Sequence, residues 1–219
     1  MPLHVRAPVQ DAADAAWAAL GQAGAWWTGT ERVAIAEAAR AAGPRPLWDR
    51  APDIASASRH ADGDDLSPFL ALLVERVAVG PATLTRDDVQ AIAQEIGDAA
   101  YAELASIVCQ VVTIDQLAAA LGHDFRPLPS PQAGEPTQVR PDGMADVGGH
   151  IEMTAENFGP NVGRSLSLAG DDHVRWRELV FTMYSGAEFF EMVWDSRALS
   201  RPQVELLAAR TSALNECFY

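Results

Sequence analysis

The sequence predicts an all-α protein, and three observations support this fold class. Alanine, the best helix former, dominates the apolar residues, which make up 48% of the 219 residues. Apolar side chains recur at intervals of three and four residues, the spacing that places them on one face of a helix. Capping patterns and prolines mark where these segments begin and end, and the alternating apolar runs typical of half-buried strands are missing.

Two helices are predicted near the N-terminus. The first covers Val9 to Leu20. The second follows a capping box in which Thr28 caps the helix and Glu31 reaches back to it. Its apolar pattern continues to about Ala42. Pro44 then ends the helix, because proline lacks a backbone donor and clashes with the preceding turn.

Three further helices are predicted in the central part of the chain. Apolar residues define one helix from Leu66 to Val77, which Gly80-Pro81 ends. Thr85 caps a shorter helix, and a longer one runs from about Ala99 to Leu121. The centre of this long helix is apolar on nearly every face. That pattern predicts either the middle of a bundle or a subunit interface.

A connector rich in proline and glycine, residues 122–149, divides the predicted architecture. It separates an N-terminal helical unit, residues 1–121, from a C-terminal helical unit, residues 150–219. The C-terminal unit is expected to contain a long helix from Asp172 to about Trp194 and a last helix that begins with a capping box at Ser200–Gln203.

The charge of the chain excludes several kinds of partner. Thirty acidic side chains against sixteen basic ones give a net charge of −14. Such a surface repels phosphate backbones and anionic lipids, so neither nucleic acid nor a membrane is an expected partner. There is no unbroken run of 18 apolar residues, and Met1–Ala16 lacks the order of a signal peptide. Two cysteines form no disulfide framework, so a reducing cytoplasm is the expected location.

No metal site or cofactor site is predicted from the motifs. The five histidines are scattered, and none forms the i,i+4 pair of a helical zinc site. The glycine-rich nucleotide-binding motifs and the serine-hydrolase motif do not occur. Cys109 lies among apolar residues of the long helix, so we interpret it as a core residue whose thiol is hard to ionise.

Cys217 lies in a different setting, which carries a resemblance to a known family. The segment Leu199–Tyr219 reads LSRPQVELLAARTSALNECFY, and Cys217 follows Glu205 by twelve residues. This segment resembles the signature helix of the alkylhydroperoxidase-D-like (carboxymuconolactone decarboxylase) superfamily. In that family a Glu is followed twelve residues later by the first Cys of a C-x-x-C pair, and a His comes four residues after the second Cys. Glu205 and Cys217 match the first two members.

Two upstream segments are similar to the same family. Ala25–Ala36 resembles the first helical unit of its two-unit members, and Tyr101–Gly122 resembles their central helix. The resemblance therefore implies a helical bundle built from two similar units, offset by 172 residues. At that offset Val33, Arg45 and Trp48 occupy the positions of the Glu and the two Cys. The N-terminal unit thus carries a degenerate site and is expected to be structural.

The resemblance implies an antioxidant, peroxidase-related function. In family members the second cysteine attacks a hydroperoxide, and the first cysteine resolves the resulting sulfenic acid as a disulfide. Cys217 would then be the resolving thiol and Glu205 a proton relay. The implied partners are a hydroperoxide or disulfide substrate, a thiol reductant and further copies of the chain in a homo-oligomer. A non-redox lyase resembling carboxymuconolactone decarboxylase, or a non-catalytic helical oligomer, stays open as the alternative.

The second cysteine and the histidine of the motif would fall after Tyr219. An arbitrary boundary, a frameshift or nonsense mutation, and a UGA codon that encodes selenocysteine are three competing explanations. Selenocysteine would suit this position because a selenol is ionised at neutral pH. Since Cys217 has no adjacent thiol to pair with, we expect little or no peroxide turnover from these 219 residues.

Overall fold

A computed structural model of the chain describes residues 4–43, 57–60, 66–157, 160–184, 198–214 and 217. These residues are mostly helical, which confirms the predicted all-α class. The elements are α1 (Ala7–Leu20), α2 (Gly29–Ala42), α3 (Pro68–Val79), α4 (Arg86–Ile96), α5 (Asp98–Leu121), β1 (Met144–Ala145), β2 (Met153–Thr154), α6 (Asp171–Tyr184) and α7 (Arg201–Leu214), with short 3-10 turns at Pro81–Thr83, Asn161–Gly163 and Ser167–Ala169. The finer prediction of an alkylhydroperoxidase-D-like bundle stays a prediction.

The starts of α2 and α4 follow from their capping residues. The Thr28 hydroxyl oxygen accepts the backbone N–H of Glu31 at 3.3 Å, and the Glu31 carboxylate accepts the backbone N–H of Thr28 at 2.8 Å. Thr85 and Asp88 form the same reciprocal pair at 3.2 and 2.9 Å. Each pair satisfies two backbone donors that a helix start would otherwise leave open. The predicted starts of both helices are confirmed.

Helix α5 forms the middle of the bundle. The helices α2, α3, α4 and α6 all pack against it. Apolar residues along its length, including Leu104, Ile107 and Val111, are completely buried. Of the two sequence interpretations, the middle of a bundle therefore describes this helix.

Among the described residues, α5 is also a helix long and apolar enough to cross a membrane by length and composition. An 18-residue window of this helix passes on mean hydropathy, although it contains a charged residue and is therefore not an unbroken apolar run. Half of this window is buried inside the protein. The helix also contains Glu103 and Asp115, which are buried and form ion pairs. Core helices of globular proteins pass the same test.

The connector lies along the surface and is held by polar contacts. The Trp17 indole N–H donates to the carbonyl of Pro127 at 2.9 Å, and Arg140 binds both carboxylate oxygens of Asp98 at 2.7 and 2.9 Å. The chain then forms the short antiparallel pair β1–β2. Helix α6 returns to α1 and α5, where Leu179 joins the same apolar core as Leu20. Helices before and after the connector thus share one core, while the division into two units stays a prediction.

Helix α7 contributes no buried residue. Leu206 and Leu207 are 70% and 57% exposed, and Leu214 is also exposed. Its predicted start is confirmed, since the side chain of Gln203 accepts the backbone N–H of Ser200 at 2.8 Å. The predicted long helix from Asp172 to about Trp194 is described as far as Tyr184. The rest of that prediction lies outside the described residues.

Candidate functional site

The predicted relay carboxylate lies on the exposed surface of α7. Glu205 is in the first half of the helix, and its side chain is 55% exposed. Its carboxylate accepts a hydrogen bond from Arg201, one turn earlier, at 3.4 Å. The structure places it apart from the bundle core. Its exposed carboxylate is in contact with solvent.

The predicted thiol, Cys217, lies beyond the other end of α7. It is exposed, and its backbone N–H donates to the carbonyl of Ser212 at 2.9 Å. A rise of about 1.5 Å per residue puts the end of the helix, Leu214, about 14 Å from Glu205 along the axis. The helix therefore does not bring the carboxylate and the thiol into direct contact.

Cys109 has the opposite environment. It is half-buried on α5, and burial raises the pKa of its thiol to about 11. At neutral pH almost none of it is thiolate, and the thiolate is the reactive form. This agrees with the interpretation of Cys109 as a core residue, although part of its side chain reaches the surface. Of the two thiols, Cys217 is the more accessible to a solute.

The histidines do not assemble into a metal site. Four of them, His4, His60, His123 and His150, are exposed. His173 is buried, stacks on Trp176 with ring centroids 5.9 Å apart, and has its Nε2 2.9 Å from the carbonyl oxygen of Gly163. In the described ranges no three His, Cys, Asp or Glu side chains are grouped so that they could hold a metal ion.

A buried ionic cluster, which the sequence reasoning missed, joins three helices. Arg32 of α2 is completely buried and lies between Glu103 of α5 and Asp172 of α6. Its Nη1 donates to Oε1 of Glu103 and, at 2.7 Å, to Oδ2 of Asp172. Its Nη2 donates to Oδ1 of Asp172 at 2.9 Å. We call these three residues the Arg32 cluster.

The loop between α1 and α2 closes over the Arg32 cluster. The backbone N–H of Trp26 donates to Oε2 of Glu103 at 2.7 Å. Gly24 lies so close that a Cβ there would meet side-chain atoms of both Glu103 and Arg32. In the described part of the chain, Nε of Arg32 and the indole N–H of Trp26 are buried without a hydrogen-bond partner. The cluster therefore fixes a loop as well as three helices.

The environment shifts the pKa values of the two carboxyl groups of the Arg32 cluster in opposite directions. Burial, the largest cause, raises the pKa of Glu103 because it disfavours the anion, and the charge of Arg32 offsets this only in part. Burial acts on Asp172 too, but hydrogen bonds and charge from Arg32, with a contribution from Arg175, outweigh it and lower its pKa. Two acids with separated pKa values can hold and release a proton at different pH.

A second ion pair and a small cavity lie at another end of the bundle. Arg40 binds both oxygens of Asp115 at 2.8 and 2.9 Å, and its guanidinium lies over the rings of Trp17 and Phe125 at 5.3 and 5.4 Å. Between α1 and the end of α5 is a cavity of about 270 Å³, below the usual size of a ligand pocket. Its lining residues are Val5, Gln10, Ala13, Ile114, Leu117, Ala118, Leu121, His123, Asp124 and Arg126. Neither predicted site residue lines it.

No family model, curated protein or solved structure matches this chain. The assignment of function therefore depends on the motif around Glu205 and Cys217 and on the accessibility of the two thiols.

The sequence contains an indication of the Arg32 cluster. Glu103 lies between Ala102 and Leu104 in the apolar helix α5. A charged residue on a buried face requires a partner of opposite charge, because an unpaired buried charge is costly. Arg32, directly before Val33, is a similar interruption. The pattern indicates a buried ion pair, although it does not say which residues are partners.

Proposed function

We propose that this protein belongs to the alkylhydroperoxidase-D-like superfamily and takes part in the thiol- or selenol-dependent reduction of hydroperoxides or disulfides. The observation that carries the proposal is the twelve-residue spacing of Glu205 and Cys217 within a segment that resembles the family's signature helix. The helical conformation of α7 and the exposure of Cys217 support it.

The proposed chemistry uses Cys217 as the resolving thiol. In the family's reaction, a thiolate or selenolate at the second position of the C-x-x-C pair would attack a hydroperoxide, break its O–O bond and release an alcohol. The resulting sulfenic or selenenic acid is attacked by Cys217, which forms a disulfide or a selenosulfide and releases water. A thiol reductant then returns two electrons by exchange.

Glu205 is assigned to proton transfer. It is exposed and about 14 Å from the end of α7 along the helix axis, so it cannot take a proton directly from Cys217 within one helix. The proposal therefore has Glu205 act through an intervening group, for which the family's histidine is the expected candidate. General acid–base assistance of this kind contributes about 10² to 10⁴ in rate.

The test compares the 219-residue chain with a variant in which a cysteine and, four residues later, a histidine follow Tyr219. The extended variant should reduce an organic hydroperoxide over many turnovers with a dithiol as reductant. The 219-residue chain should consume peroxide only in proportion to its thiols. Cys217→Ser should slow turnover in the extended variant, because the dithiol must then resolve the sulfenic acid directly, and Glu205→Gln should slow it by about 10²-fold.

Cys109→Ser is the matched control, since its thiol is half-buried and has a raised pKa. This variant should keep the turnover of the extended chain. Equal rates with and without Cys217 would refute the proposal, as would the absence of turnover from a correctly folded extended variant.

A further inference from the structure

The Arg32 cluster contains more negative than positive charge. One completely buried guanidinium faces the carboxyl groups of Glu103 and Asp172, whose side chains are 0% and 3% exposed. Arg175 contacts Asp172 at 3.2 Å, but its side chain is 28% exposed and partly solvated. If both acids were ionised, the enclosed part of the cluster would carry a net negative charge, which is costly at a site without access to water.

Asp172 accepts more hydrogen bonds from charged side chains than Glu103 does. Asp172 accepts hydrogen bonds from both terminal nitrogens of Arg32, at 2.7 and 2.9 Å, and from Arg175. Glu103 shares the Nη1 of Arg32 with Asp172, and its other oxygen accepts the backbone N–H of Trp26 at 2.7 Å. The contacts stabilise the anion of Asp172 more strongly, so a proton bound by the cluster belongs on Glu103.

We propose that Glu103 carries a proton while α6 is packed on the bundle, and that loss of this proton weakens the attachment of α6. The Arg32 cluster is then a proton-dependent latch between α2, α5 and α6. The inference does not depend on the proposed redox function.

Burial and the charge of Asp172 favour the protonated form of Glu103, whereas Arg32 and the backbone N–H of Trp26 favour its anion, and the net effect raises its pKa. Arg32 faces it from α2, and Asp172, neutralised in part by Arg175, lies beyond Arg32 on α6. From the loop between α1 and α2, the backbone N–H of Trp26 faces it. A proton removes the excess charge and keeps the three helices together.

The free energy of unfolding should fall as the pH rises, because the folded protein binds a proton on Glu103 more tightly than the unfolded chain does. A carboxyl group whose pKa is raised in the folded protein contributes stability that is fully present below its ordinary value of about 4.3. This contribution is lost as the pH rises through the folded pKa. The folding equilibrium constant then falls by up to tenfold per pH unit for one proton. Glu103→Gln keeps the size of the side chain, is always neutral and should not show this loss.

The first experiment measures urea unfolding of the wild type and Glu103→Gln between pH 5 and pH 9. The ratio of the wild-type folding constant to that of the variant should fall with rising pH, by up to tenfold per unit. Glu95→Gln is the matched control, since Glu95 is an exposed carboxylate in a surface ion pair. Its ratio to the wild type should stay constant. A constant ratio for Glu103→Gln as well would show that Glu103 is ionised in the folded state.

The second experiment uses the wild type alone and so covers the case in which Glu103→Gln does not fold. At pH 6 the infrared spectrum in D₂O should contain the C=O band of a protonated carboxylic acid, and ¹³C-glutamate labelling should shift that band. Above the pH at which the band disappears, amides of α6 should lose protection from hydrogen exchange while those of α4 keep theirs. Absence of the band, or equal loss in α4 and α6, would overturn the latch.

Discussion

Gly24 allows the loop between α1 and α2 to pass directly over the Arg32 cluster. A Cβ built on this residue would lie 2.8 Å from Cδ of Glu103 and still closer to one oxygen of Glu103 and to Nη1 of Arg32. Both side chains are completely buried, so neither can move aside into solvent. Gly24→Ala must therefore displace the loop or break the contact between Arg32 and Glu103.

The cost of Gly24→Ala follows from these two outcomes. Overpacking of a well-filled interior costs about 1–3 kcal/mol. Loss of a buried hydrogen bond to a charged group costs about 1.5–3 kcal/mol. Partial relaxation of the loop places the expected loss at about 2 kcal/mol. For a protein of 150–250 residues this corresponds to a fall of about 4–8 °C in the melting temperature.

Thermal unfolding followed by circular dichroism at the helix band measures this loss. Gly163→Ala is the matched control, because a Cβ on Gly163 would meet no atom within 4 Å. We expect the control to melt within about 2 °C of the wild type, as surface substitutions generally do. The reasoning would be refuted if Gly24→Ala melted as high as Gly163→Ala, since the Arg32 cluster would then not be closely covered by the loop.

Three further predictions concern other parts of the bundle. Arg40→Met should cost about 2–4 kcal/mol in urea unfolding, because it leaves the buried carboxylate of Asp115 unpaired. Thr85→Ala should cost about 1 kcal/mol in the same assay, because it removes the cap of α4. Cys217 should react with a thiol reagent at pH 8 in the folded protein, whereas Cys109, which is half-buried and has a pKa of about 11, should react much more slowly until the protein unfolds. Equal rates for the two thiols would contradict the last prediction.

The helices could be predicted from the sequence because the information that defines them is local. The predicted helix from Ala99 to Leu121 is found at Asp98–Leu121, and the capping residues Thr28 and Thr85 start the helices that they were predicted to start. A capping box lies within four residues, and an amphipathic stripe lies within a few turns. Neither requires knowledge of a distant partner.

The Arg32 cluster could not be predicted because its information is not local. Arg32 is separated from Glu103 by 71 residues and from Asp172 by 140. A single charged residue within an apolar helix indicates that some partner exists, but sequence spacing does not identify it. The candidate redox residues were selected from the sequence and not from contacts in the structure. A resemblance selected Glu205 and Cys217, and the described contacts do not themselves join them into a site.

The candidate redox residues and the stability of the bundle should be separable. Helix α7 has no buried residue, Glu205 pairs with Arg201 on its surface, and Cys217 is exposed. Substitutions without buried contacts rarely change stability by more than about 0.5 kcal/mol. Glu205→Gln and Cys217→Ser should therefore melt within about 2 °C of the wild type, whereas Gly24→Ala should not. Larger losses in either variant, measured by the same thermal unfolding, would mean that α7 is packed against the bundle in solution and that the motif also stabilises the fold.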